Sequence, residues 1–176
     1  LNDLVEEYSK EKVSVSFPSL RVEKILDTLT LHSSAVRKTG LTFAVEAGSE
    51  RLRQAIGKDI DVEILFDVFR VLFKRNCTTV KLYFMIGLPG ETDEDVRAII
   101  EFVDRVERCA RECGNRRLNI NMGVSTFIPK PHSDFECEVL ASEDDIRRRQ
   151  EILCAVFYKR KKVKISTTDY AVSRLE

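Results

Sequence analysis

The chain has 176 residues, 43% hydrophobic and 33% charged, with 29 basic side chains against 29 acidic ones. That apolar content supports one packed core and a single domain, and the zero net charge argues against non-specific binding to nucleic acid or anionic membrane, a local patch apart. The longest apolar runs fall far short of the roughly 18 residues a membrane span requires, and no signal-peptide pattern opens the chain.

The chain opens on Leu1 inside a helical pattern and without methionine, which suggests a fragment. Val13 to Phe17 alternates strictly and reads as a strand stopped by Pro18. Residues 21–38 read as helical, and Gly40 is a stop. Leu41 to Glu46 is the next strand. Leu41, Phe43 and Val45 form its apolar face; Thr42, Ala44 and Glu46 form the other. Glu46 therefore lands at the carboxyl end of the strand on the polar side. Ser49 caps a short helix over 50–56.

A helix from about Asp61 to Arg75 places Leu65, Val68, Phe69, Leu72 and Phe73 on one face. Val80 to Ile86 is a strand with Val80, Leu82, Phe84 and Ile86 on one side and Lys81, Tyr83 and Met85 on the other. Gly87 and Gly90 bracket Pro89 in a tight turn. Thr92 and Asp95 form a capping box for a long helix ending at Gly114. Leu118 to Phe127 is a further strand, with Asn119, Asn121, Gly123 and Ser125 on its polar side. Ser142 and Asp145 form a second capping box, for a helix expected to end in the basic run Lys159 to Lys162. Val163 to Thr167 is a last strand.

Strands and helices thus alternate without a hairpin signal, which predicts a parallel sheet. A doubly wound sheet is apolar on both faces, whereas these strands keep one side polar. The expected fold is α/β, a partial parallel (β/α) barrel with helices only on the outside.

Glu46 is the sharpest candidate. A carboxylate at a strand end can accept from two hydroxyls, such as those of a ribose, or can form a structural ion pair. Ser49, Arg51, Arg53 and Lys58 gather at the same turn as a candidate anion site, with solvated surface charge as the commoner outcome. The five cysteines, at 77, 109, 113, 137 and 154, lack zinc or redox spacing, so reduced cytoplasmic thiols are the default. Cys109 and Cys113 adjoin an apolar helical stripe and read as small buried hydrophobes. His32 and His132 lack partners at metal or triad spacing, and Lys159 to Lys162 read as a solvated helix end.

Four stretches carry a resemblance: Phe17 to Arg21, Gly40 to Arg53, Val80 to Glu91 and Phe127 to His132. Together they resemble the carboxyl-terminal part of a radical S-adenosylmethionine (radical SAM) domain. The nearest look-alikes are uncharacterised radical SAM iron–sulfur proteins that carry a cobalamin-binding-like segment upstream. The resemblance implies that residues 1–176 are half to two-thirds of a TIM-like (β/α)6 barrel. It implies that Glu46 binds the ribose hydroxyls, with Ser49 near the cofactor, and that Lys58 pairs with the S-adenosylmethionine carboxylate. Met85, Ile86, Gly87, Leu88, Pro89 and Gly90 would pack against adenine, flanked by Phe127 and Ile128. Arg21 and Lys130 would meet substrate or cofactor.

The CxxxCxxC loop that ligates the family's 4Fe–4S cluster is absent from these residues. The fragment alone is therefore expected to carry no cluster and to be inactive. The full-length protein would reductively cleave S-adenosylmethionine to a 5′-deoxyadenosyl radical. The alternatives are a methylthiotransferase-like radical SAM enzyme and a non-catalytic α/β binding module. A barrel enzyme acting on a phosphorylated substrate is disfavoured, because no glycine-rich phosphate loop follows the later strands. Neither substrate nor use of cobalamin can be read from the residues. No membrane contact and no strong nucleic-acid signal are expected; a truncated barrel with an uncovered edge is expected to self-associate.

Overall fold

Alternation of apolar and polar side chains builds four strands: β1 (Leu41–Glu46), β2 (Thr79–Ile86), β3 (Asn119–Thr126) and β4 (Val163–Thr167). Helices α1 (Glu50–Ala55), α2 (Val62–Lys74), α3 (Asp93–Glu112), α4 (Glu143–Phe157) and the single turn α5 (Tyr170–Ser173) fall between and after them. The structure, a computed structural model, describes residues 41–58 and 60–175. The strand expected at Val13–Phe17, the helix over 21–38, Arg21 and His32 lie outside the described residues.

All three strand pairs are parallel and the sheet order follows the chain, β1-β2-β3-β4. One side of the sheet is dry: Phe43, Val45, Val80, Leu82, Phe84, Ile86, Ile120, Met122, Val124 and Val163 all join the main core. The opposite side stays wet, with Thr42, Ala44, Lys81, Tyr83, Asn119, Ser125 and Lys164 exposed. A sheet whose order never reverses, covered on one face, is the singly wound arrangement of a barrel; a doubly wound sheet switches direction and buries both faces. The fold is therefore a partial parallel (β/α) barrel.

The covering layer packs through aromatics. Phe69 on α2 is fully buried, with its ring 4.9 Å from Phe43, 5.5 Å from Phe66 and 5.7 Å from Phe73. Phe102 on α3 bridges Phe66 and Phe84 at 5.5 and 5.9 Å. Each such side chain contributes roughly 1.5–3 kcal/mol by leaving water, which fixes the strand ends that the site depends on.

Two sequence expectations change in detail. Ser142 caps α4 by accepting from the Asp145 amide at 3.2 Å, but the return bond of a capping box is absent; the Ser142 hydroxyl donates to the Asp145 carboxylate instead, at 2.7 Å. The α4 helix stops at Phe157 with Tyr158 as its cap, so Lys159 to Lys162 are not its last turn. They lie in the turn that leads into β4. Helical periodicity runs out after Phe157 because Val163, not a residue of the basic run, is the next to enter the core.

Candidate functional site

At the carboxyl ends of β1, β2 and β3 the chain makes three consecutive turns, and each is held by a different device. The first ends β1. Pairing with β2 skips a residue between Ala44 and Glu46, a bulge that re-aims the strand end. Glu46 has φ of +70°, and the Ala47 amide donates to the Val45 carbonyl at 2.9 Å across it. This is the uncommon γ-turn with a positive central φ, a conformation that costs a non-glycine residue on the order of 1–3 kcal/mol. A strained carboxylate at a strand end is a functional signal. The Glu46 side chain is 20% exposed and its nearest cation is Lys58, at 3.7 Å. Among the described residues no hydrogen bond reaches its carboxylate. Lys58, 56% exposed, follows Gly57 and reaches back over the turn.

Gly48 lets this first turn dock on α3. A Cβ there would lie 2.4 Å from the Ile99 amide nitrogen and 2.7 Å from the Asp95 carbonyl oxygen, so only glycine permits the approach. Ser49 then caps α1, accepting from the Leu52 amide at 3.2 Å and donating to Asp95 at 2.5 Å. Arg51 pairs with the same Asp95 carboxylate and donates to the Gly90 carbonyl at 3.0 Å. Burial alone would raise the Asp95 carboxyl, but hydrogen bonds from Ser49, Thr92 and Arg51 outweigh it and hold the group down at about 2. Arg53 is buried and donates to the Ala47 and Gly48 carbonyls at 2.9 and 2.8 Å. The anion cluster expected from Ser49, Arg51 and Arg53 is thus a structural knot tying two turns together. Lys58 alone of that group stays on the Glu46 side.

The second turn ends β2. Gly87 has φ of +82°, and its amide donates to the Glu91 carboxylate at 2.6 Å. The Glu91 side chain is 1% exposed and meets Arg149 of α4 at 3.3 Å; Arg149 also donates to the Glu91 carbonyl at 3.1 Å. Burial pushes the Glu91 carboxyl up to about 7, against the Gly87 amide and the Arg149 charge, which act to lower it. Leu88, held in this turn, is 3% exposed. Pro89 is half-buried and Gly90 exposed.

The third turn ends β3. The Phe127 amide donates to the Ile86 carbonyl at 2.8 Å and extends the β2–β3 ladder past its last pair. Phe127 packs edge-on against Phe135, 5.8 Å away. Ala47, Leu52, Leu88 and Phe127 form a second, smaller apolar cluster, joined by the half-buried Ile56, Met85 and Phe135. It sits where the three turns meet.

Glu46, Lys58, Met85, Leu88 and Phe127 are therefore gathered at one end of the sheet. Ile86 is not: its side chain is fully buried in the main core, because alternation points it away from Met85. Only its backbone faces this end. Ser49 is turned toward α3, Ile128 is half-buried and Lys130 exposed. Sequence reasoning missed Glu91 and Arg149, whose pairing spans two elements, as well as Ile56 and Phe135. The adjacent Gly-x-x-Gly-Glu spacing was the available signal for Glu91. Among the described residues no cluster of three or more His, Cys, Asp or Glu is placed to hold a metal, and no helix is long and apolar enough to cross a membrane.

Known proteins are similar to this chain in sequence. The chain is 37% identical over 140 residues to an uncharacterised protein of Methanocaldococcus jannaschii, covering 80% of this chain and 28% of that one. It is 31% identical over 83 residues to a tRNA-2-methylthio-N(6)-dimethylallyladenosine synthase of Rickettsia akari, covering 46% of this chain and 19% of the relative. A protein of the same name from Rickettsia rickettsii is 34% identical over 68 residues, 38% of this chain and 15% of its own length. The chain thus spans less than a third of each of these relatives. The family model described as the radical SAM superfamily matches residues 1–103, more than half of the 176. A parallel partial barrel that this family model matches over more than half its length, the chain belongs to the radical SAM superfamily.

Proposed function

We propose that this chain forms the ribose- and adenine-side wall of an S-adenosylmethionine site within a longer radical SAM enzyme. The observation that carries the reading is Glu46: a strained carboxylate at the end of β1, partly buried, with acceptors that no described residue satisfies. Such a group fits a vicinal diol, whose two hydroxyls would supply the missing donors. Beside it Met85, Leu88 and Phe127 offer apolar surface suited to a purine face. Lys58, poised at 3.7 Å from Glu46, is free to swing to an anionic group of the same ligand.

The roles follow from what each residue can do. Glu46 orients the ribose. The turn from Gly87 to Gly90, held by Glu91 and Arg149, presents backbone at fixed height to the base. Lys58 pairs with the carboxylate of the methionine moiety. The described residues do not fit an iron–sulfur cluster, so in this reading its ligands come from elsewhere in the longer polypeptide. When bound and reduced there, S-adenosylmethionine would supply a 5′-deoxyadenosyl radical for hydrogen abstraction.

The test is to incubate the full-length protein, its cluster reconstituted, with dithionite and S-adenosylmethionine and to measure 5′-deoxyadenosine. The reading expects its formation in wild type and its loss or strong reduction in Glu46→Ala, with the cluster absorbance unchanged. No 5′-deoxyadenosine from the wild-type protein would overturn it. The similarity to tRNA-2-methylthio-N(6)-dimethylallyladenosine synthases supports a second reading, methylthiolation of an RNA base. It rests on less than half of the chain, is a narrower case of the first, and is tested by looking for a methylthio group on RNA.

A further inference from the structure

At the opposite end of the sheet from Glu46, charge is segregated in a way that the zero net balance hides. Residues 113–125 and 157–168 contain no Asp or Glu, yet they carry Arg116, Arg117, Lys159, Arg160, Lys161, Lys162 and Lys164. The fold brings the two segments together: the Lys162 ammonium donates to the Arg116 carbonyl at 2.5 Å, and the Ile120 amide to the Lys162 carbonyl at 2.8 Å. Arg160 is neutralised by Asp104 and Glu107 of α3. Among the described residues Lys161 and Lys164 have no acidic partner.

These lysines border a depression of about 230 Å³ lined by Thr79, Asn119, Asn121, Lys161, Lys162 and Lys164. Its floor is the wet side of the sheet at the amino-terminal ends of the strands, where Thr79 pairs with Asn119 and Asn121 with Lys164. No carboxylate lines it. The Asn119 amide is occupied by the Thr78 and Arg117 carbonyls and one Lys162 N–H by the Arg116 carbonyl, which leaves the Thr79 hydroxyl, the Asn121 amide, the Lys161 and Lys164 ammonium groups and the rest of Lys162 as donors. Crowding three like charges around one hollow is unfavourable by Coulomb repulsion unless an anion offsets it.

We propose that this hollow binds a phosphate group. Tetrahedral phosphate oxygens match a ring of ammonium, hydroxyl and amide donors, and charge-assisted hydrogen bonds are the strong ones. Glu46 pairs with Phe84, five residues along β2 from Thr79, so the site lies roughly 17 Å away along the strand. It is therefore a second site, independent of the cofactor reading. The phosphate belongs either to a small phosphorylated molecule or to a nucleic-acid backbone, and the exposed Arg116, Arg117 and Lys159 would extend the contact to further phosphates in the second case.

Isothermal titration calorimetry of the protein with inorganic phosphate, and separately with a single-stranded oligonucleotide, tests the proposal. Saturable phosphate binding is expected, weakened roughly tenfold or more by Lys161→Gln with Lys164→Gln and unchanged by Lys74→Gln on the exposed face of α2. An oligonucleotide bound far more tightly than phosphate, with the same sensitivity to the two lysines, assigns the backbone as source. Equal or weaker oligonucleotide binding assigns the small molecule. In the wild-type protein, phosphate should also protect Lys164 from acylation, read by mass spectrometry. Absence of saturable binding to either probe, or binding indifferent to the two lysines, would overturn the proposal and reduce the run to solvated charge.

Discussion

Glu91 shows how one buried carboxylate can hold a turn and make it sensitive to pH. Its oxygen accepts from the Gly87 amide and faces Arg149, so losing it would leave a buried guanidinium and a buried amide without their partner. Burial sets its carboxyl at about 7 against an ordinary 4.5. The folded protein then binds that proton more tightly than the unfolded chain. Its contribution is complete below about pH 4.5 and is lost as pH rises through 7, an effect of roughly 3 kcal/mol. Asp95 works in the opposite sense and lower down, favouring folding above its ordinary 3.8 and losing that effect toward 2. The windows do not overlap. Denaturant titrations from pH 4.5 to 8 should show stability falling in wild type and nearly flat in Glu91→Gln. A slope unchanged by that substitution would remove Glu91 as its source.

At the scale of elements, the βα turns are what the strands and helices exist to position. Gly48 sets the spacing between the β1–α1 turn and α3. Gly48→Ala should therefore destabilise the fold by about 1–3 kcal/mol, as overpacking against backbone does, with no flexible side chain able to yield. Gly57→Ala is the control. Its φ is +68° but nothing lies within 4 Å of the added methyl, so only the backbone term of about 1 kcal/mol applies. Equal losses in thermal or chemical denaturation would mean that the contact with α3 contributes nothing. The strands and the helices between β1 and β3 were legible in the chain, because alternation at 41–46 and 80–86 and the caps at Ser49 and Thr92 are local signals; the short α5 was not foreseen. The end of α4 was not, since Lys159 to Lys162 are as compatible with a helix as with a turn. What decided it was the distant demand that Val163 enter the core.

For the whole molecule, a sheet wound in one direction separates a dry outer layer from a wet inner face and gathers the strand ends into one rim. That separation could be read from the polar alternation, and the family motifs pointed to the rim. The internal bracing of the rim could not. The capture of Ser49 and Arg51 by Asp95, and of Glu91 by Arg149, joins residues 46, 44 and 58 positions apart, beyond any local pattern. The same holds for the basic hollow at the far end, where two segments meet only through β3–β4 pairing.

The central claim is that Glu46 reads a ribose directly. The measurement that addresses it most directly compares the affinity of full-length wild type and Glu46→Ala for S-adenosylmethionine and for an analogue lacking both ribose hydroxyls. Wild type should lose about 1–3 kcal/mol on going to the analogue, and Glu46→Ala should lose the same with the natural ligand. The variant should then be almost indifferent to the missing hydroxyls, a coupling nearly as large as either single loss. Independent, additive losses would contradict the account and leave Glu46 as the ion-pair partner of Lys58.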